Sequence, residues 1–424
     1  MWTALSETPL SRRLSVRHFR LHNGLELLLL PDPSAPIVSY QTWYRVGSRD
    51  ERPGKTGIAH LFEHLMFNQT ESRGPGVLDR EIEAVGGDTN ASTWVDWTQY
   101  RISVPADRLD LAIDIESDRM QHLVLEPEPL EAEREVVINE RLMRVEDDVD
   151  GFLDEQLMKR AFAGHPYGWP TIGWMEDIRA ITLDDARAFY RTYYAPNNAV
   201  IVVAGDVDAA AALDAIERAY GDIAPAELPP RRRVPVAGRP GEVARFSKPV
   251  PADRAIAAYP VPPQSHPDWP IVDAIVALLT GGPSARLYER LVVDAQICTS
   301  VDGFVLPFAE ASLLEVSFSL ARGHTADEAL TELDAAATAL CDVPVPEREL
   351  AKVKRWAETD FWAHLSTADG RAEALGHYHV TVGDYRALFR TVDEVRAINP
   401  ADVQRVANRY FDSDRRTVVI AEPA

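Results

Sequence analysis

Five consecutive residues carry the sharpest chemical signal in the chain: His60, Leu61, Phe62, Glu63 and His64. On an α-helix, positions i and i+4 lie on one face, a turn apart. The spacing therefore predicts that His60 and His64 aim two imidazoles at one point, where an ion sits about 2.0–2.1 Å from each nitrogen. Glu63, at i+3 from His60, falls beside them and can take a proton from an activated water without being a ligand. A catalytic zinc uses three protein ligands and keeps a position open for water, so a third ligand must come from elsewhere. Ile58, Leu61, Phe62, Leu65 and Met66 give this helix a broad apolar face. It should be largely buried, and two histidines with a carboxylate are costly there without a partner.

Candidates for the third ligand lie in the helical pattern from Glu131 to Arg141, EAEREVVINER. Glu133 and Glu140 are two turns apart and share a face, and spacing alone does not choose between them. Val136 and Val137 are expected to anchor this helix in the core.

The elements that must position these groups are legible in outline. From Glu26 to Trp43, two apolar runs flank the Pro-rich connection PDPSAP and read as strands. Helical patterns cover the segment from Gly57 and the stretch Val77–Val85, which ends at Gly86-Gly87. TNASTWVDWTQYRISV reads as a strand or hairpin. Helices are expected over about 106–122, 127–145 and 182–193, and a strand over 199–205. Residues 225–241, dense in Pro, Gly and Arg, read as a linker. Ile181–Ala204 aligns without gaps on Ile398–Ala421: Ile181, Asp185, Tyr193, Val202 and Ala204 match Ile398, Asp402, Tyr410, Val419 and Ala421. Each copy closes a half of similar size, which predicts an internal duplication.

Composition narrows the class. The 424 residues suggest two or three domains, and 46% apolar with 26% charged residues is ordinary globular composition. Lys and Arg number 44 against 66 Asp and Glu, a formal net charge of -22, which argues against nucleic-acid binding. Two cysteines, Cys298 and Cys341, exclude a disulfide framework and are expected to be buried thiols. No segment has the apolar length of a membrane helix, and the N-terminus does not read as a secretory signal, so a cytoplasmic protein without membrane contact is expected.

With these motifs assembled, the chain resembles the pitrilysin, insulin-degrading enzyme and mitochondrial processing peptidase family, whose H-x-x-E-H inverts the commoner H-E-x-x-H. The resemblance rests on NGLELLL (23–29), WYRVGSRDE (43–51), GIAHLFEHLMFNQT (57–70), GGDTNASTWVDWTQY (86–100), EREVVINE (133–140) and, more loosely, HPYGWPTIG (165–173). It implies zinc ligation by His60, His64 and Glu140, one ion per chain, with Glu63 as general base and Glu133 as a supporting acid. It implies that Asn90, Ala91, Ser92 and Thr93 form an edge strand pairing with substrate backbone, a case of β-augmentation. In the second half RLYER (286–290) stands where HLFEH stands in the first. Arg371 and Tyr378, seven apart, resemble the pair that family members bring to the active site, the arginine for substrate carbonyls and the tyrosine for the oxyanion.

The expected architecture is therefore α+β, two homologous domains, each a mostly antiparallel sheet covered by helices. Residues 1–224 would form the zinc domain, 225–244 a linker, and 245–424 the companion domain with the Arg/Tyr pair. The expected function is a zinc metalloendopeptidase acting on peptides or unfolded segments inside a chamber, basic peptides being favoured by the acidic charge. A homodimer is expected, with a heterodimer as the alternative. The competing reading is a non-catalytic or partner-dependent subunit of a processing-peptidase-like heterodimer.

Overall fold

The computed structural model describes residues 1–10, 14–231, 233–236 and 241–424. It contains two compact units, each with its own sheet and apolar core.

The first unit holds a seven-stranded sheet: β1 (Trp2–Pro9), β2 (Ser15–Leu21), β3 (Glu26–Pro31), β4 (Ile37–Tyr44), β5 (Asp88–Thr93), β6 (Thr98–Pro105) and β7 (Ala199–Gly205). Their order is β1-β2-β3-β7-β4-β6-β5, and only the β3/β7 pair is parallel. Strand β4 shows why the sheet is covered on both faces. Its even residues Val38, Tyr40 and Tyr44 join the main core, as the two-residue strand period requires. Its odd residues meet the helix Ala368–His377: Ser39 and Gln41 donate to the Asp369 carboxylate at 2.9 and 3.1 Å, and Gly376 lies against the Trp43 indole, where a Cβ would come within 2.2 Å of it.

The second unit holds a five-stranded sheet: β8 (Glu242–Lys248), β9 (Arg254–Val261), β10 (Cys298–Val305), β11 (Ser312–Leu320) and β12 (Thr417–Pro423), in the order β10-β11-β9-β12-β8. Only β12/β8 is parallel. This order repeats that of β5-β6-β4-β7-β3, with the parallel pair at the same place, which is the expected duplication seen in topology. The aligned ends agree in detail. Thr182 and Asp185 form a capping box on the helix Leu183–Tyr193, and Asn399 and Asp402 form the same box on Pro400–Tyr410.

The units interleave in sequence. The first comprises Met1–Asn139, Pro170–Arg232 and Ala363–Phe389; the second comprises Glu140–Trp169, Arg233–Trp362 and Arg390–Ala424. The expected domains 1–224 and 245–424 therefore run across the compact units at 140–169 and 363–389. Helix Val149–Ala161 packs on β9 and β12, and helix Ala368–His377 on β4 and β7. Residues 223–231 carry neither helix nor strand, while β8 already begins at Glu242, inside the expected linker; residues 232 and 237–240 of that linker lie outside the described residues. Both cysteines are free, Cys298 buried and Cys341 only half-buried. No helix among the described residues is long and apolar enough to cross a membrane.

Candidate metal centre

Helix α1 (Ile58–Leu65) carries the H-x-x-E-H residues. Ile58, Leu61, Phe62 and Leu65 are buried in the first core, which fixes the rotation of the helix and turns His60, Glu63 and His64 to its half-buried side. Its start is set by two devices. Gly57 has φ +89°, and a Cβ there would meet the Ile172 carbonyl oxygen at 2.5 Å, so this turn needs glycine. Glu51 accepts the Gly57 and Ala59 backbone N–H groups at 2.9 and 2.8 Å, satisfying orphan donors of the first turn. Behind the helix, the Tyr100 hydroxyl bonds to that of Tyr194 at 2.9 Å and donates to the Phe62 carbonyl at 3.4 Å.

The third group comes from the helix Pro127–Arg141. The unit division falls inside this continuous helix, after Asn139, so Glu140 is placed by the same turns that place Glu133. Ligand atoms of His60, His64 and Glu140 all lie within 4.8 Å of one another, and the two imidazole centroids are 4.9 Å apart. Two nitrogens and one carboxylate oxygen suit a divalent transition ion, zinc above all. Glu140 also meets the Arg144 guanidinium at 3.0 Å; Arg144 is largely exposed, and such pairs are weak.

Glu133 takes a different place. Its Oε2 lies 3.4 Å from His64 Nδ1, and its Oε1 accepts from Asn68 Nδ2 at 3.0 Å. The contact with His64 and the Asn68 bond hold its carboxyl below the usual range against the opposing effect of burial. A carboxylate on Nδ1 leaves Nε2 to face the ion. Of the two acids that spacing left open, Glu140 lies in the three-atom cluster and Glu133 lies against His64. Asn68 was not anticipated, although it follows His64 at i+4, and Glu51 was visible only as part of WYRVGSRDE. The expected core pair Val136/Val137 is half right: Val137 is fully buried, but Val136 is 48% exposed.

Strand β5 forms one edge of the first sheet. Asn90, Ala91, Ser92 and Thr93 pair with Arg101, Tyr100, Gln99 and Thr98 of β6, and among the described residues no strand pairs with the outer edge. Arg371 is paired with an acid of the first unit. Its guanidinium lies 2.6 Å from the Asp32 carboxylate and 2.9 Å from the Leu365 carbonyl, with both charged side chains nearly buried. The resemblance offered no place for Asp32. Tyr378 is half-buried, at the C-terminal cap of the helix Ala368–His377. In the second unit, the arginines standing for the two histidines are taken by acids: Arg286 pairs bidentately with Glu349 at 2.8 and 2.9 Å, and Arg290 with Glu332.

Residues 27–173 match the model of insulinase, peptidase family M16, and residues 180–355 match that of the M16 inactive domain. The chain belongs to the M16 peptidase family. It is 29% identical over 411 residues to the zinc protease PqqE of Helicobacter pylori, covering 95% of this chain and 92% of that one. It is 30% identical over 314 residues to the uncharacterized zinc protease SCO5738 of Streptomyces coelicolor, covering 71% and 67%. Among solved structures, a protease from Helicobacter pylori superposes with a TM-score of 0.91 at 28% identity, covering 96% of this chain and 99% of that one. The M16 peptidase match spans His60, Glu63, His64 and Glu140; the inactive-domain match spans Arg286 and Arg290.

Proposed function

We propose that this M16 protein is a zinc-dependent endopeptidase in which His60, His64 and Glu140 hold the ion and Glu63 is the general base. The observation that carries the reading is the convergence of those three ligand atoms within 4.8 Å, with Glu63 on the same turn of α1. A zinc ion there supplies a Lewis acid that polarises a carbonyl and lowers the pKa of water toward about 7. Glu63 takes the proton of the attacking water and returns it to the leaving amine. Glu133 holds the His64 ring through Nδ1. The outer edge of β5 receives an extended peptide main chain, pairing with Asn90–Thr93.

The net charge of -22 supports a preference for basic peptides in a dimeric assembly. Arginine- and lysine-rich substrates should be cleaved with higher kcat/KM than acidic ones, and the advantage should shrink as salt rises from 20 to 500 mM, as screening shortens the range of the field, roughly from 20 to 4 Å. A preference insensitive to salt would argue against this charge-based selection.

A second reading is favoured by the engagement of Arg371 with Asp32: the transition-state donors come from a different chain, and this protein is the zinc-bearing subunit of a heterodimer. Purified protein assayed on a quenched peptide library, with zinc, with chelator and after zinc restoration, tests both. Cleavage that chelator abolishes and zinc restores supports the first reading. Full zinc loading without cleavage supports the second, and cleavage unaffected by chelator overturns both.

A further inference from the structure

Among the described residues, a second group of ligand-type side chains converges away from α1: His18 on β2, Glu26 on β3 and His379 just after the helix Ala368–His377. All three belong to the first unit and are 9%, 9% and 7% exposed. His18 Nε2 and His379 Nε2 lie 2.8 and 3.0 Å from the same oxygen, Glu26 Oε2. The two rings are 5.1 Å apart and nearly perpendicular. In the sheet register Arg20 faces Glu26, so His18, two residues from Arg20, projects on the same face and reaches the carboxylate diagonally.

We propose that His18, Glu26 and His379 form a second, structural site for a divalent transition-metal ion, zinc being the best match to two imidazoles and a carboxylate. Two imidazole nitrogens crowding one carboxylate oxygen is the arrangement a three-ligand shell takes when shared protons stand in for the ion. Tetrahedral bonds of ~2.0–2.1 Å place ligand atoms about 3.3–3.4 Å apart, so each imidazole nitrogen needs to move away from the shared carboxylate oxygen by only about half an ångström.

The charged neighbours occupy the other side. Arg45 and Arg20 reach Oε1 at 3.0 and 3.6 Å, leaving Oε2 to the ion, in the way that ligating carboxylates are held by outer partners. His379 Nδ1 is buried and has no hydrogen-bond partner among the described residues, so the bond to Glu26 is the one that orients this ring. Tyr385 closes the cluster, its ring 5.8 and 6.1 Å from the two imidazoles, and its hydroxyl is occupied by Ser6 and Thr8. An ion here would tie the β2–β3 hairpin to a segment from the far end of the chain.

The test needs a protein without a polyhistidine tag, saturated with zinc and desalted. Elemental analysis should give two ions per chain for the wild type and one for His60→Gln/His64→Gln. In that double variant the inferred cluster is intact. One equivalent of Co2+ should produce the visible absorption of a histidine-ligated ion, and adding Glu26→Gln, which removes a ligand, should weaken Co2+ binding by more than about 100-fold, beyond the usual cost of losing an outer partner. If the double variant holds no zinc and Co2+ gives no such absorption, the cluster is only a hydrogen-bonded clamp and the proposal fails. A wild type with one ion that survives His60→Gln/His64→Gln supports this site and refutes the metal reading of α1, so the two claims fail separately.

Discussion

Glu63, Glu133 and Glu140 bear the same functional group, yet their positions assign them three different consequences when neutralised. Glu140→Gln removes an anionic ligand atom and should cost most of the zinc affinity. Glu133→Gln removes only the carboxylate behind His64 and should weaken zinc by roughly 10–100-fold, the usual cost of losing such a support. Zinc titration with a competing chelator reads both, and equal losses in the two variants would contradict the assignment. The sequence brought these residues together because a helix repeats: His60 to His64 and Glu133 to Glu140 are close to one and two turns, about 1.1 and 1.9. It could not tell Glu133 from Glu140, because both fall on one face and both meet α1; the difference lies in where each carboxylate stands, Glu140 with both imidazoles and Glu133 against His64 Nδ1. The same periodicity limits Val136 and Val137. Consecutive helical residues point about 100° apart, so one being buried at the core leaves its neighbour toward solvent.

At the scale of elements, the helix Ala368–His377 is held to the first sheet by Asp369, Gly376 and the Arg371–Asp32 pair. Arg371→Ala leaves Asp32 as a nearly buried, uncompensated charge. The expected cost is about 3–5 kcal/mol, read as a lower denaturation midpoint. The double change Arg371→Gln/Asp32→Asn should cost distinctly less, since no charge is stranded. If Arg371→Ala leaves stability intact but abolishes cleavage, the arginine serves substrate and its ion pair is incidental. On the same helix, burial is the main influence pushing His377 down to about 4, opposed by Asp96. Its ordinary value is near 6.5, so between those pH values the unfolded chain binds the extra proton. The contribution is complete above about pH 6.5 and is lost as pH falls toward 4, by about 1–3 kcal/mol for this half-buried ring. His377→Gln should flatten that part of the stability profile, and an unchanged acid limb would show that other groups govern it.

At the scale of the whole molecule, the duplication was legible because each half ends in the same capped helix and apolar strand. The repeated strand order with its single parallel pair is its structural counterpart. What the sequence concealed is the exchange of 140–169 and 363–389 between the compact units. Those segments have ordinary helical patterns, and nothing local says which sheet a helix will cover; that choice is made by non-local partners such as Ser39, Gln41 and Trp43. The strand 88–93 was legible as a strand, but its position at the sheet edge follows from the order of all seven strands.

The central claim is that one turn of α1 separates holding the ion from moving the proton, and Glu63→Gln tests it most directly. Zinc content and peptide cleavage should be measured on the same preparation, beside the wild type. The account predicts unchanged zinc and a rate lower by about 10²–10⁴-fold, the usual contribution of a general base. Near-normal turnover with full zinc would contradict it.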